Sequence, residues 1–192
     1  MQSIYHMCPS EMIGDMLYPL NTLRELYPLV YEREMIKYQD HPHCQDLQAR
    51  RIPKLNCLWH DVVHCFSIHP NLLYRALQER ELPVRPERTF FQIPLTTLQA
   101  GQVVVLQTSI RDDPTVPIYD DTVSWLDFTT YHELTLVPPD ALEWYDQLTL
   151  LKRTIGLFVG VPLILVHAPI SIKQACVISW REALVPTRKM QW

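Results

Sequence analysis

Sixteen prolines against four glycines set the terms on which this chain of 192 residues can fold. Proline fixes φ and removes a backbone donor, so it opens helices, ends strands and stiffens connections. A chain punctuated this way builds many short elements. The scarce glycines add an exclusion. There is no GxGxxG run and no Walker pattern, so no glycine-rich loop is available to cradle a phosphate. Any nucleotide has to be held by side chains and ordinary backbone.

Hydrophobic periodicity between these breakpoints gives the elements. Residues 3–7 read as a first strand, with His6 facing away from Tyr5. Pro9 and Ser10 start a turn or short helix that Gly14 can end. Asn21 reads as the N-cap of a helical stripe through Leu23, Leu26, Val30 and Ile36 to Tyr38, with Pro28 dividing it into two helices or kinking it. Residues 39–48 are polar and aperiodic, hence loop, and 58–66 fit strand or helix. Residues 70–80 read as a helix with Leu72, Leu73, Ala76 and Leu77 on one face.

The second half is richer in strand signals. Residues 89–93, 103–108, 131–137, 155–166 and 175–180 read as strands, and Pro138-Pro139-Asp140 start a helix to about residue 152. Residues 111–121 are acidic and read as exposed loop, and 186–192 as a frayed tail. The pattern predicts one α+β domain over 1–192. Its helices lie mostly in the N-terminal half, and a mixed or antiparallel sheet comes mostly from the C-terminal half. The expected core includes Leu23, Leu26, Val62, Leu73, Leu77, Phe91, Val104, Leu136, Leu165 and Ile178.

The formal charge of -4 and pI near 6.0 leave no global basic field, which argues against long sequence-independent binding to duplex nucleic acid. Arg50, Arg51 and Lys54 form a small local basic strip. The five cysteines contain no CxxC pair, and their odd count and wide spacing point to reduced thiols and a cytoplasmic setting. The start lacks a signal-peptide pattern, and the longest apolar run, 155–166, is too short to span a bilayer, so no membrane partner is expected.

Chemistry-bearing groups concentrate in residues 51–74, where Cys57, His60, Asp61, His64, Cys65 and His69 lie among Trp59, Phe66 and Tyr74. A metal site could draw on His60 and His64, four apart, with Cys57, Cys65, His69, His41, His43 and Cys44. No standard zinc spacing and no HExxH is present, and separate buried or loop residues are the better reading; no metal ligand is assigned. Cys57 or Cys65 paired with a histidine would make a nucleophile, but apolar neighbours favour inert core thiols. A third arrangement is a nucleotide pocket of His6, Arg51, the Asp61–His64 region and Glu133. Such a set suits NAD: arginine or histidine for the diphosphate or ribose, aromatic rings for nicotinamide, a glutamate as ribose ligand or general base.

A resemblance favours the third arrangement. Tyr5-His6-Met7 followed by Gly14 and Leu17 looks like the start of DarT-type DNA-modifying ADP-ribosyltransferases. Arg50-Arg51, His60-Asp61-Val62, Phe66 and Pro70-Asn71-Leu72-Leu73-Tyr74 resemble that family's arginine-bearing segment, aromatic strand and following helix start. The likeness covers about the first 75 residues and implies NAD as cofactor, with His6 and Arg51 at its site. The family's arginine-serine before the proline is replaced by Ile68 and His69. Two stretches compete for the position of its catalytic glutamate: Tyr131-His132-Glu133-Leu134, and the similar strand 161–166, which carries Leu163 where an acid is wanted.

The expectation is therefore an ADP-ribosyltransferase-like enzyme modifying a nucleic acid or protein acceptor. His6, Arg51 and Tyr74 would contact NAD, and Glu133, His64 and Asp61 would be catalytic. The alternatives are a metal-dependent hydrolase centred on His60, Asp61 and His64, and a non-enzymatic binding or interaction module.

Overall fold

The computed structural model describes residues 2–39, 44–85, 87–109, 115–151 and 156–183. In chain order the elements are β1 (Ser3–Met7), β2 (Met16–Leu17), α1 (Leu20–Leu26), α2 (Pro28–Gln39), α3 (Cys44–Ala49), β3 (Arg51–Ile52), β4 (Cys57–Leu58), β5 (Val63–Phe66) and α4 (Pro70–Gln78). They continue with β6 (Thr89–Pro94), β7 (Val103–Leu106), β8 (Val123–Trp125), α5 (Pro139–Leu151), β9 (Leu163–Val166), β10 (Ile170–Ser171) and β11 (Cys176–Ser179). Short 3-10 turns occupy Trp59–Asp61, Leu95–Thr97 and Asp120–Thr122. Among the described residues no helix is long and apolar enough to cross a membrane.

The fold is α+β, as the sequence predicts. Seven strands form one antiparallel sheet in the order β11-β6-β1-β5-β9-β7-β8. The sheet is not mainly C-terminal in its centre, however. β1 and β5, both from the N-terminal half, sit between β6 and β9. The β1–β6 ladder runs through five register pairs from Ser3↔Pro94 to Met7↔Phe90. The β1–β5 ladder has a single pair, Tyr5↔Phe66. Beyond that pair no further register pair joins the two strands, and His6 reaches across to β5 instead.

Alternate residues serve the two faces of the sheet. Tyr5, Phe66 and Phe90 pack with Leu73 and Leu77 of α4, Tyr145 of α5 and Trp180. Ile4, Val63, Cys65 and Phe91 pack with Leu17 and Ile170. Helix α4 starts as its proline suggests. Pro70 occupies the first turn, and the preceding His69 accepts the Asn71 amide at 3.2 Å. Asn71 then donates to the Trp180 carbonyl at 2.8 Å and ties α4 to the end of β11.

Several expectations need correction. Leu26 is 58% exposed and Leu136 78% exposed, so neither belongs to the core. The stripe containing Leu26 assumes a continuous helix, but α1 has only seven residues between Pro19 and Pro28, and Tyr27 leaves helical geometry with φ -142. Only Leu23 of α1 is buried. Ile178 is partly buried against the Trp180 cluster. Asn21 does not cap α1, which starts one residue earlier behind Pro19.

Residues 131–137 do not form a strand. Leu134 makes one bridge, to Ile68, and its neighbours are held by side chains. The apolar run 155–166 is strand only from Leu163, because Gly156 and Gly160 turn with φ 83 and 74. Gly160 has a packing reason too, since a Cβ there would lie 2.5 Å from the Ala141 amide nitrogen of α5. Residues 9–14 take the turn alternative, with Gly14 at φ 58, whereas Cys44–Ala49 is helix rather than loop. Residues 40–43, 110–114 and the expected frayed tail 186–192 lie outside the described residues.

Candidate ligand-binding cleft

Where the β1–β5 ladder ends, the next β1 side chain is His6. Its Nδ1 donates to the His64 carbonyl at 2.8 Å and bridges the two strands through a ring instead of an amide. The carbonyl can only accept, so this nitrogen carries the proton. His6 and His64 form part of one wall of a cavity of about 430 Å³. Met16 and Leu17 of β2 line another side, and Leu20, Leu23 and Val30 of α1 and α2 line the roof. Val62, Val63 and Leu163 line the floor, and Phe158 one end.

The roof is fixed by a polar stitch. Asp61 accepts from Asn21 of α1 at 2.6 Å and from its own turn's Leu58 amide at 2.7 Å. Both oxygens are thereby used to hold α1 over the 3-10 turn. Next to it, the Trp59 ring meets the His64 ring with centroids 4.5 Å apart, and the Arg50 guanidinium covers Trp59 at 5.6 Å.

Among the described lining residues the only formal charges are carboxylates. Burial holds the His64 imidazole down at about 3, with His6 and His60 adding to the effect, so it is neutral at physiological pH. His64 is part-exposed as a residue, but its Nε2 is sealed from solvent and has no hydrogen-bond partner. Burial also lowers the nearby His60. Two carboxylates, Glu11 and Glu34, reach the mouth, and Glu11 pairs with Arg33. No lysine or arginine is among the described residues that line the cavity.

The residues named from the sequence are divided between places. His6 and His64 share the cleft, and Asp61 holds its roof. Arg51 is exposed on the β3–β4 hairpin, where it donates to the Asn56 side chain at 2.8 Å and lines a separate cavity with Lys54. Tyr74 accepts from Gln78 on α4 and packs against Trp180 at 5.2 Å.

Glu133 is bound to the Tyr5 hydroxyl at 2.6 Å and the Ser3 amide at 2.8 Å. Its own amide donates to Gln2, and Tyr131 donates to the Ser3 carbonyl. This network docks residues 131–134 onto β1, which is why no further ladder is needed there. Tyr5 and His6 are neighbours on one strand and face opposite ways, so the Glu133 network and the cleft lie on opposite faces of β1.

Among the described residues no group of three or more His, Cys, Asp or Glu side chains is arranged to hold a metal ion; His41 and His43 lie outside them. Cys57 and Cys65 are buried, and burial pushes the Cys57 thiol up to about 11 and Cys65 higher still. Neither is poised as a thiolate nucleophile. The sequence reading missed Met16, Leu20 and Phe158 as cleft residues. Nothing in their spacing links them, because they come from β2, α1 and the segment before β9 and meet only in the folded chain.

No protein-family model matches the chain, and no curated protein and no solved structure matches it.

Proposed function

We propose that the chain is a small-molecule-binding module, and that the cleft takes an uncharged ligand with a largely apolar body. The observation that carries this reading is the lining itself. Aliphatic and aromatic side chains from six helices and strands surround a cavity of about 430 Å³, with neutral imidazole on one wall, Glu11 paired to Arg33, and no lysine or arginine among the described lining residues. Pockets of this size that are mostly apolar with a few fixed polar groups are the usual form of a ligand site. The Asn21–Asp61 and His6–His64 bonds hold the walls before any ligand arrives, which reduces the ordering cost of binding.

The test is fluorescence titration with the neutral apolar probe N-phenyl-1-naphthylamine, on the wild type and on Leu20→Trp, which fills the roof. Saturable binding that weakens at least tenfold in the folded variant is expected. Absence of wild-type binding, or equal binding by the two proteins, overturns the reading.

A second reading, NAD-dependent ADP-ribosyl transfer to a nucleic acid or protein acceptor, draws support from His6 and Trp59 at one cleft, where an imidazole and an indole could meet ribose and nicotinamide. Against it, a diphosphate asks for cations, and Arg51 and Glu133 point elsewhere. Calorimetric titration with NAD separates the two. Heat that disappears in His6→Ala favours the transferase reading, and no heat at millimolar NAD removes it.

A further inference from the structure

A second cavity, also of about 430 Å³, lies beyond Phe158, which lines both. His6 borders the first cavity and its neighbour Met7 the second, so the two open on opposite sides of β1. The second differs in chemistry. Leu77, Leu82, Val84, Leu148 and Leu157 supply an apolar interior, and Arg85 and Arg88 stand at it together with Trp180. The Arg88 guanidinium lies 5.4 Å over the Trp180 ring. Neither Arg85 nor Arg88 forms an ion pair with a carboxylate among the described residues.

One further fact favours an anionic ligand. Arg88 is partly desolvated beside Arg85, and both burial and that second cation lower its affinity for a proton. A half-buried guanidinium, Arg88, with the exposed Arg85 on the same apolar cavity favours an oxyanion as ligand head. The lining residues Gly156 and Leu157 are tied to α5. Tyr145 donates to the Leu157 carbonyl at 2.6 Å and Trp144 to the Gly156 carbonyl at 3.0 Å, which pins the 156–158 turn to α5.

We propose that this cavity is a second, independent site for an amphipathic organic anion, with an oxyanion head on Arg85 and Arg88 and an apolar body among the leucines. The site does not depend on the reading of the first cleft, since its ligand is charged and its residues are distinct apart from Phe158.

The experiment is calorimetric titration of the full chain with decanoate, decyl phosphate and decanol. At least one anion is expected to bind ten times or more tighter than decanol, and the tighter anion identifies the head as carboxylate or phosphate. Arg85→Ala, an exposed substitution, should weaken that anion about tenfold with no change in melting temperature. Arg88→Lys keeps the charge on the Trp180 side and should weaken it less than Arg88→Ala. Decanol binding as tightly as both anions, no binding of either anion, or an unchanged affinity in folded Arg85→Ala overturns the proposal.

Discussion

Asn21 Nδ2 donates to Asp61 Oδ1 at 2.6 Å, and this bond joins the roof of the first cleft to the turn behind it. α1 is too short to be stable alone, since isolated helices of fewer than about 12 residues are marginal in water. Its position therefore rests on Leu23 and on this bond. Asn21→Ala leaves Oδ1 of the part-buried Asp61 carboxylate without its donor, while Oδ2 keeps the Leu58 amide, and should cost about 1–3 kcal/mol in urea unfolding. A double-mutant cycle with Asp61→Ala should give a coupling of about 0.5–3 kcal/mol. Additive losses would show that the two side chains do not support each other.

His64 makes stability depend on pH. In the unfolded chain a histidine takes its proton near about 6.5, whereas in the fold His64 does so only near about 3. Between these values unfolding takes up a proton. The contribution is thus fully present above about pH 6.5 and is lost as pH falls towards about 3. His60 and His69 are lowered by burial and act with the same sign. From about pH 7 to about pH 4 the denaturant midpoint of the wild type should fall more steeply than that of His64→Leu. Parallel curves would rule out this source.

Two glycines with similar backbone angles should respond differently to alanine. Gly101 has φ 80 and open space around the missing Cβ, while Gly160 has φ 74 and a Cβ site 2.5 Å from the Ala141 nitrogen. Gly101→Ala should cost about 1 kcal/mol of backbone strain. Gly160→Ala must also displace the start of α5 and should lower the melting temperature by clearly more. Equal losses would contradict the close approach.

The thiols should separate by burial. Cys176 is exposed, whereas Cys57 and Cys65 are buried with raised thiol pKa values. Brief iodoacetamide treatment of the native protein, followed by peptide mapping, should mark Cys176 and spare Cys57 and Cys65 until denaturant is added. Early labelling of Cys65 would mean that the central strand β5 opens locally.

The sequence by itself determined the element types wherever a local cause was sufficient. Pro28 opens α2, Pro70 opens α4 and Pro139 opens α5, because a fixed φ and a missing donor act on the nearest turn whatever surrounds it. The Val-, Ile- and Leu-rich runs of β7 and β9 read as buried strand for a similarly local reason. Leu26, Leu136 and residues 131–137 misled because their burial depends on distant partners. Only the tertiary structure decided the sites. Glu133 joins Tyr5 across 128 residues. Arg88 faces Trp180, and His6 meets His64 where one ladder ends after a single pair. Such meetings are set by strand order and by where pairing stops, and neither leaves a periodic mark on the chain.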